Sequence, residues 1–107
     1  MFGFREIEVA GLKSLAAGQE ILLIDVRTEA EVARGMIDGA RHLPLHLLPI
    51  KADELDPDVP IVFYCQSGAR SAQACMYLAG RGFGNTYNLR GGILAWVRSG
   101  QTLQAVA

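Results

Sequence analysis

The chain has 107 residues, half of them hydrophobic and a fifth charged, which suits one soluble domain spanning residues 1–107 with a core of its own. A formal net charge of −1 gives no global pull toward nucleic acid or anionic lipid, and no basic run or aromatic ladder supplies a local one. The N-terminal MFGFREIEVAG lacks the uncharged apolar core of a signal peptide, and no segment reaches the roughly 20 apolar residues of a membrane span, so a cytoplasmic location is expected.

Phe4 to Val9 alternates charged and apolar residues, as a half-exposed strand does, and Leu12 to Ala17 reads as a short helix ended by Gly18. Glu20-Ile21-Leu22-Leu23-Ile24-Asp25 is a continuous apolar run with β-branched members, the pattern of a strand buried on both faces. Thr28 with Glu31 three positions on forms a capping box for a helix to about Arg34, stopped by Gly35. A short strand is expected around Ala40 to Leu43, and Pro44 and Pro49 bracket a short helical piece ahead of a polar connection through Pro60.

Pro60 to Cys65 is the central strand of the pattern, and the helix that follows runs from Ser71 to Ala79 with Ala72, Cys75, Met76 and Ala79 spaced as its buried face. Gly80 and Gly82 end it, Thr86 to Leu89 gives another strand, and Gly92 to Val97 begins a last helix. Strands alternate with helices throughout. That order predicts an α/β sandwich with a mainly parallel sheet, whose ligand site lies at the carboxyl ends of the strands. Asp25, Arg27 and Cys65 all fall at such ends.

Cys65 follows the apolar Ile61-Val62-Phe63-Tyr64 and precedes Gln66-Ser67-Gly68-Ala69-Arg70-Ser71, so its sulfur is expected to emerge at a strand-to-helix turn. A turn that curls ahead of a helix start aims backbone N–H groups inward, and the helix dipole adds positive character there. Both favour a thiolate, and Arg70 brings a cation close in sequence. A buried, inert cysteine is the competing reading, but a polar glycine-containing loop with Arg and Ser suits an anion cradle better than a packed core. Cys75, ten positions on, fits neither a CxxC redox pair nor zinc-ligand spacing, and its place on a buried helix face makes it packing rather than a resolving thiol.

Other chemistries have weaker support. His42 and His46 are separated by Pro44 and nothing ties either to Cys65, which argues against a cysteine-protease arrangement, and no cluster of ligands makes a zinc site. Gly80-Arg81-Gly82-Phe83-Gly84 follows a helix instead of opening one, so it is a helix terminator and not a nucleotide-binding turn.

The chain resembles a single-domain rhodanese, a sulfurtransferase module, over nearly its full length. The resemblance is carried by Asp25-Val26-Arg27, by Glu31, by Gly35-Met36-Ile37-Asp38-Gly39-Ala40 with Pro44, by Cys65 through Ser71, and by Leu89-Arg90-Gly91-Gly92 with Trp96. Met36 departs from the commonest family form, which has His there. The resemblance implies a rhodanese-like three-layer sandwich with a five-stranded, mainly parallel sheet flanked by helices. It implies Cys65 as nucleophile and sulfur carrier, attacking the outer sulfur of a donor such as thiosulfate and passing the sulfur from a persulfide to cyanide or a thiol.

By the same resemblance the N–H groups from Gln66, Ser67, Gly68, Ala69 and Arg70 cradle the terminal sulfur, and the Ser67 hydroxyl adds a bond. Arg70 has two roles open to it: positioning an anionic donor or favouring the thiolate, and bracing the loop from outside. Asp25 and Arg27 are read as a brace near the loop, with Ser71 and Arg90 as further supporting residues, Arg90 lining the mouth of the pocket. No metal or other cofactor is expected, and the macromolecular partner in view is a sulfur-relay or thioredoxin-like protein. Cysteine phosphatases use a loop one residue longer between Cys and Arg than the four residues between Cys65 and Arg70, and the narrower loop suits a lone sulfur. The alternative of another class is a non-catalytic or sulfur-carrier rhodanese module acting through protein partners.

Overall fold

Five strands form one sheet: β1 (Arg5–Ile7), β2 (Leu22–Asp25), β3 (Arg41–His42), β4 (Ile61–Tyr64) and β5 (Thr86–Leu89). The computed structural model describes residues 3–105, and within them the strand order is β1-β5-β4-β2-β3 with every neighbouring pair parallel. The expected five-stranded α/β architecture is therefore present. An isolated antiparallel bridge joins Met36 and Gln104.

Helices α1 (Val9–Gly18), α2 (Glu29–Val32), α3 (Leu48–Lys51), α4 (Ala69–Ala79) and α5 (Gly92–Arg98) connect the strands. The sheet needs cover on both faces because β4, Ile61-Val62-Phe63-Tyr64, is apolar at every position and buried at every position. Side-chain alternation sends Ile24, Ile61 and Phe63 toward α3 and α4, against Leu48, Ala74, Cys75 and Leu78. Leu23, Val62 and Tyr64 point the other way, against Leu12 of α1 and Ile93 of α5. Each large apolar side chain so enclosed contributes about 1.5–3 kcal/mol relative to exposure. Among the described residues no helix is long and apolar enough to cross a membrane.

Several boundaries differ from expectation for local reasons. β1 stops at Ile7, and α1 begins at Val9 instead of Leu12. Pro49 does not close the helical piece but sits in the first turn of α3, where its missing N–H removes no helix bond. α4 starts at Ala69, and its buried face is Ser71, Ala74, Cys75 and Leu78, so the stripe read from Ala72, Cys75, Met76 and Ala79 is corrected: Met76 is 45 % exposed. The apolar count passed over Ser71, a polar residue that nonetheless points inward.

Candidate active site

Cys65 is the first residue beyond β4 and shares the face of Ile61 and Phe63, which directs it toward α4. The chain then turns through residues 66–68 and enters α4 after Gly68, whose φ of +111° is a left-handed conformation that side chains rarely adopt. That turn brings the Gly68 N–H to 3.1 Å from Cys65 Sγ and the Ser71 hydroxyl oxygen to 3.4 Å. Burial pushes the Cys65 thiol up, but the Ser71 hydroxyl and the main-chain N–H groups of Ser71, Gly68 and Ser67 outweigh it, and the thiol lies below its ordinary value.

One expectation is refined here. The sulfur does not emerge: Cys65 is 1 % exposed, because the loop folds over it with its amides turned inward. The Ser71 hydroxyl, one helical turn later, also meets the sulfur, while Ser67 is an exposed residue whose amide favours the thiolate. Of the N–H groups around the turn, that of Gly68 bonds Sγ and those of Ser67 and Ser71 favour the thiolate, while Gln66 and Ala69 are exposed.

Ser71 is itself held from behind. Its hydroxyl also bonds Asn88 Oδ1 on β5, while Asn88 Nδ2 donates to the Gly68 carbonyl at 3.1 Å and to the Glu6 carboxylate at 3.1 Å. Glu6 and Asn88 are direct partners across β1 and β5, which places both side chains on the α4 face. Sequence reasoning missed both residues. The available signal was a polar Asn within a strand flanked by buried neighbours, since a buried amide needs designated partners.

Arg70 makes two parallel bonds to Glu31, Nη1 to Oε1 at 2.7 Å and Nη2 to Oε2 at 2.8 Å, which is the bracing role. Glu31 also accepts the Thr28 N–H at 3.0 Å and completes the expected capping box, so one carboxylate joins the start of α2 to the start of α4. The Arg70 guanidinium holds Glu31 at about 2, well below the usual carboxylate range. Its own proton is held more tightly by Glu31, with a smaller contribution from the charge on Cys65.

Asp25 and Arg27 brace a different part of the rim. Arg27 Nε and Nη2 bond the fully buried Asp25 carboxylate at 3.0 and 2.7 Å, and Nη2 also donates to the Gly35 carbonyl at 2.8 Å. Asp25 pairs in register with Tyr64, whose hydroxyl accepts the Ile37 N–H at 3.0 Å, so the brace fixes the segment after α2. The Arg90 guanidinium lies 3.3 Å from Glu8 and 3.8 Å from Glu6, so the side chain is engaged by two carboxylates. Cys75 is fully enclosed, and burial followed by the Glu6 charge pushes its thiol up to about 12.

The last helix is locked to the same loop. Ile93 N donates to the Cys65 carbonyl at 2.9 Å and Leu94 N to the Gln66 carbonyl at 3.2 Å. Approach this close requires glycine at position 92, where φ is +61° and a Cβ would stand 2.5 Å from the Cys65 carbonyl oxygen and 2.4 Å from that of Gln66.

A thiol ringed by main-chain donors at the carboxyl edge of a parallel sheet defines a cysteine-centred anion cradle on an α/β scaffold. The chain belongs to the Rhodanese-like domain family, whose profile matches residues 8–99. It is similar to a protein named sulfurtransferase from Allochromatium vinosum, 53 % identical over 91 residues that make up 85 % of each chain. It is also similar to the thiosulfate sulfurtransferase GlpE of Ectopseudomonas mendocina, 39 % identical over 70 % of this chain and 69 % of that one. Among solved structures, a rhodanese-related protein from Thermoplasma volcanium superposes with a TM-score of 0.86 at 28 % identity, covering 95 % of this chain and 99 % of the other.

Proposed function

We propose that the protein is a sulfurtransferase that carries sulfane sulfur on Cys65. The Cys65 thiolate attacks the outer sulfur of thiosulfate, the bond between the two thiosulfate sulfurs breaks, and sulfite leaves with the electron pair. An acceptor, cyanide or a thiolate, then attacks the terminal sulfur of the Cys65 persulfide, and the Cys65 thiolate departs with its electrons. The products are thiocyanate or a new persulfide, and the enzyme returns to its starting charge.

The observation that carries this reading is the Gly68 N–H held 3.1 Å from Cys65 Sγ, with the Ser67 and Ser71 amides also favouring the thiolate. Such donors stabilise negative charge on sulfur both as nucleophile and as leaving group, the two states a carrier must alternate between. The relatives named as sulfurtransferases and as thiosulfate sulfurtransferases support the same reaction class. Arg70 in this reading acts at one remove: paired with Glu31, it fixes the end of the loop and lends positive potential to the thiolate.

Mass analysis after exposure to thiosulfate is expected to show one added sulfur atom on Cys65, and thiosulfate with cyanide is expected to yield thiocyanate. Cys65→Ser loses both. Equal thiocyanate formation by wild type and Cys65→Ser would overturn the assignment, and an adduct without any turnover would favour a carrier module over an enzyme.

A further inference from the structure

A row of polar side chains crosses the sheet behind the sulfur. Glu6 of β1 lies opposite Asn88 of β5, and Asn88 lies opposite Phe63 of β4, two residues before Cys65, so Glu6, Asn88 and Cys65 share the face that meets α4. Burial deepens along the row: the Glu6 side chain is 36 % exposed, whereas Asn88, Ser71 and Cys65 are buried. Asn88 Nδ2 stands 3.3 and 3.1 Å from the two Glu6 carboxylate oxygens and 3.1 Å from the Gly68 carbonyl, and Oδ1 accepts from the Ser71 hydroxyl.

The soft point of the cradle is Gly68. Without a Cβ to restrict its backbone, the direction of its N–H, 3.1 Å from Cys65 Sγ, depends on what grips the neighbouring peptide groups. Its carbonyl is gripped twice, by the Ala72 N–H at 3.2 Å in the first turn of α4 and by Asn88 Nδ2. Asn88 keeps that grip while its second Nδ2 hydrogen has an acceptor, because a buried amide hydrogen without one carries a penalty that draws the side chain toward water. Glu6 is that acceptor. Among the described residues, the charged and titratable groups facing Glu6 are Arg90, which Glu8 shares, and the enclosed Cys75 thiol of α4. Arg70, the cation that acts with Cys65, is paired with Glu31.

Resting on the persulfide reading of Cys65, we propose that Glu6 is a positioning residue for sulfur transfer: its carboxylate holds the Asn88 amide, Asn88 holds the Gly68 carbonyl, and the Gly68 N–H is thereby kept on the Cys65 sulfur. An edge strand at the border of the sheet thus governs the reacting atom through two hydrogen bonds. The sign of the effect separates this role from a plain field effect. Removing a carboxylate from the neighbourhood of a thiol favours the thiolate through charge alone, whereas loosening a donor to the sulfur disfavours it.

The test reads the pH midpoint of Cys65 alkylation by iodoacetamide, located by mass analysis, and single-turnover sulfite release from thiosulfate, in wild type, Glu6→Leu, Glu6→Gln and Glu8→Leu. Glu6→Leu is expected to raise the midpoint by about one pH unit and to slow sulfite release at neutral pH by about tenfold, the order of one hydrogen bond lost from a charged group. Glu6→Gln discards the charge but keeps an acceptor oxygen, and should lie nearer to wild type than to Glu6→Leu. Glu8→Leu removes the other carboxylate at Arg90 and should not raise the midpoint. Glu6→Val, with a side chain suited to a strand, serves the same comparison if Glu6→Leu does not fold. An unchanged or lower midpoint in Glu6→Leu, a Gln variant as impaired as the Leu variant, or an equal rise in Glu8→Leu overturns the role of Glu6 while the wild type still releases sulfite. Absence of sulfite release from the wild type overturns the persulfide reading, and the place of Glu6 in sulfur transfer with it.

Discussion

Asn88 accepts the hydrogen of Ser71, and its orientation leaves no alternative: both Nδ2 hydrogens are committed, one to the Gly68 carbonyl and one to the Glu6 carboxylate, so Oδ1 faces the hydroxyl. Ser71 has a single hydrogen and two claimants, Asn88 Oδ1 and Cys65 Sγ. A charged acceptor is roughly twice as good as a neutral one, so the hydrogen is expected to turn to the sulfur when the thiolate forms and back to Asn88 when the sulfur is protonated.

Ser71→Ala removes this adjustable donor. Burial then opposes ionisation with only the amides against it, and the thiol moves upward toward its ordinary 9.0. Alkylation of Cys65 by iodoacetamide at neutral pH should slow by about tenfold, the loss of ~1.4 kcal/mol expected for a hydrogen bond to an ionised group. The pH midpoint of the alkylation rate should rise with it. An unchanged midpoint would show that the hydroxyl stays with Asn88 in both states.

Glu31 ionises at about 2 in the fold against an ordinary 4.5, so its contribution to stability is complete above 4.5 and is lost as pH falls through about 2. Both partners of the pair are partly solvated, which limits its worth to about 1 kcal/mol at neutral pH. Glu31→Gln should lower the urea midpoint at neutral pH, and the gap from wild type should narrow as the solution is taken below pH 4.5. A gap independent of pH would assign the effect to packing instead.

Arg27→Met leaves the Asp25 carboxylate buried without its cation. Breaking one side of such a pair costs about 3–5 kcal/mol, which urea denaturation measures directly. The same substitution combined with Asp25→Leu should recover part of that loss, because two apolar residues leave no charge to desolvate.

Gly92→Ala drives a methyl group into the Cys65 and Gln66 carbonyls and forces a strained φ, for an expected loss of roughly 1–3 kcal/mol and slower alkylation of Cys65. Gly18→Ala is the matched comparison, since nothing lies within 4 Å of the added carbon there and its φ is ordinary. That variant should be neutral or gain about 0.4–1 kcal/mol. Equal effects at the two positions would remove the argument that α5 and the loop depend on contact through Gly92.

What could be read from the sequence was contiguous. The Thr28–Glu31 capping box, the buried β4 run and the turn from Cys65 into α4 each lie within one short segment, where propensity and spacing determine geometry. The supporting contacts were hidden by distance along the chain: Glu31 meets Arg70 across 39 positions and Glu6 meets Asn88 across 82. The second pair exists only because β1 adds beside β5, a parallel pairing that no local pattern specifies. Ser71 was legible as a helix residue but not as an inward one, because amphipathic spacing counts apolar residues and its neighbour Ala72 satisfied the count.

Because all five strands point the same way, the turns leaving them gather at one end, and those entering them gather at the other. Cys65, Asp25 and the start of α5 occupy the first end, while residues 80–85, leading into β5, lie at the second. The molecule thus has a working pole and a silent one. Within that turn Phe83 packs on the core, whereas nothing lies within 4 Å of a carbon added at Gly84, which makes that position the natural place to fuse a reporter or tether the chain.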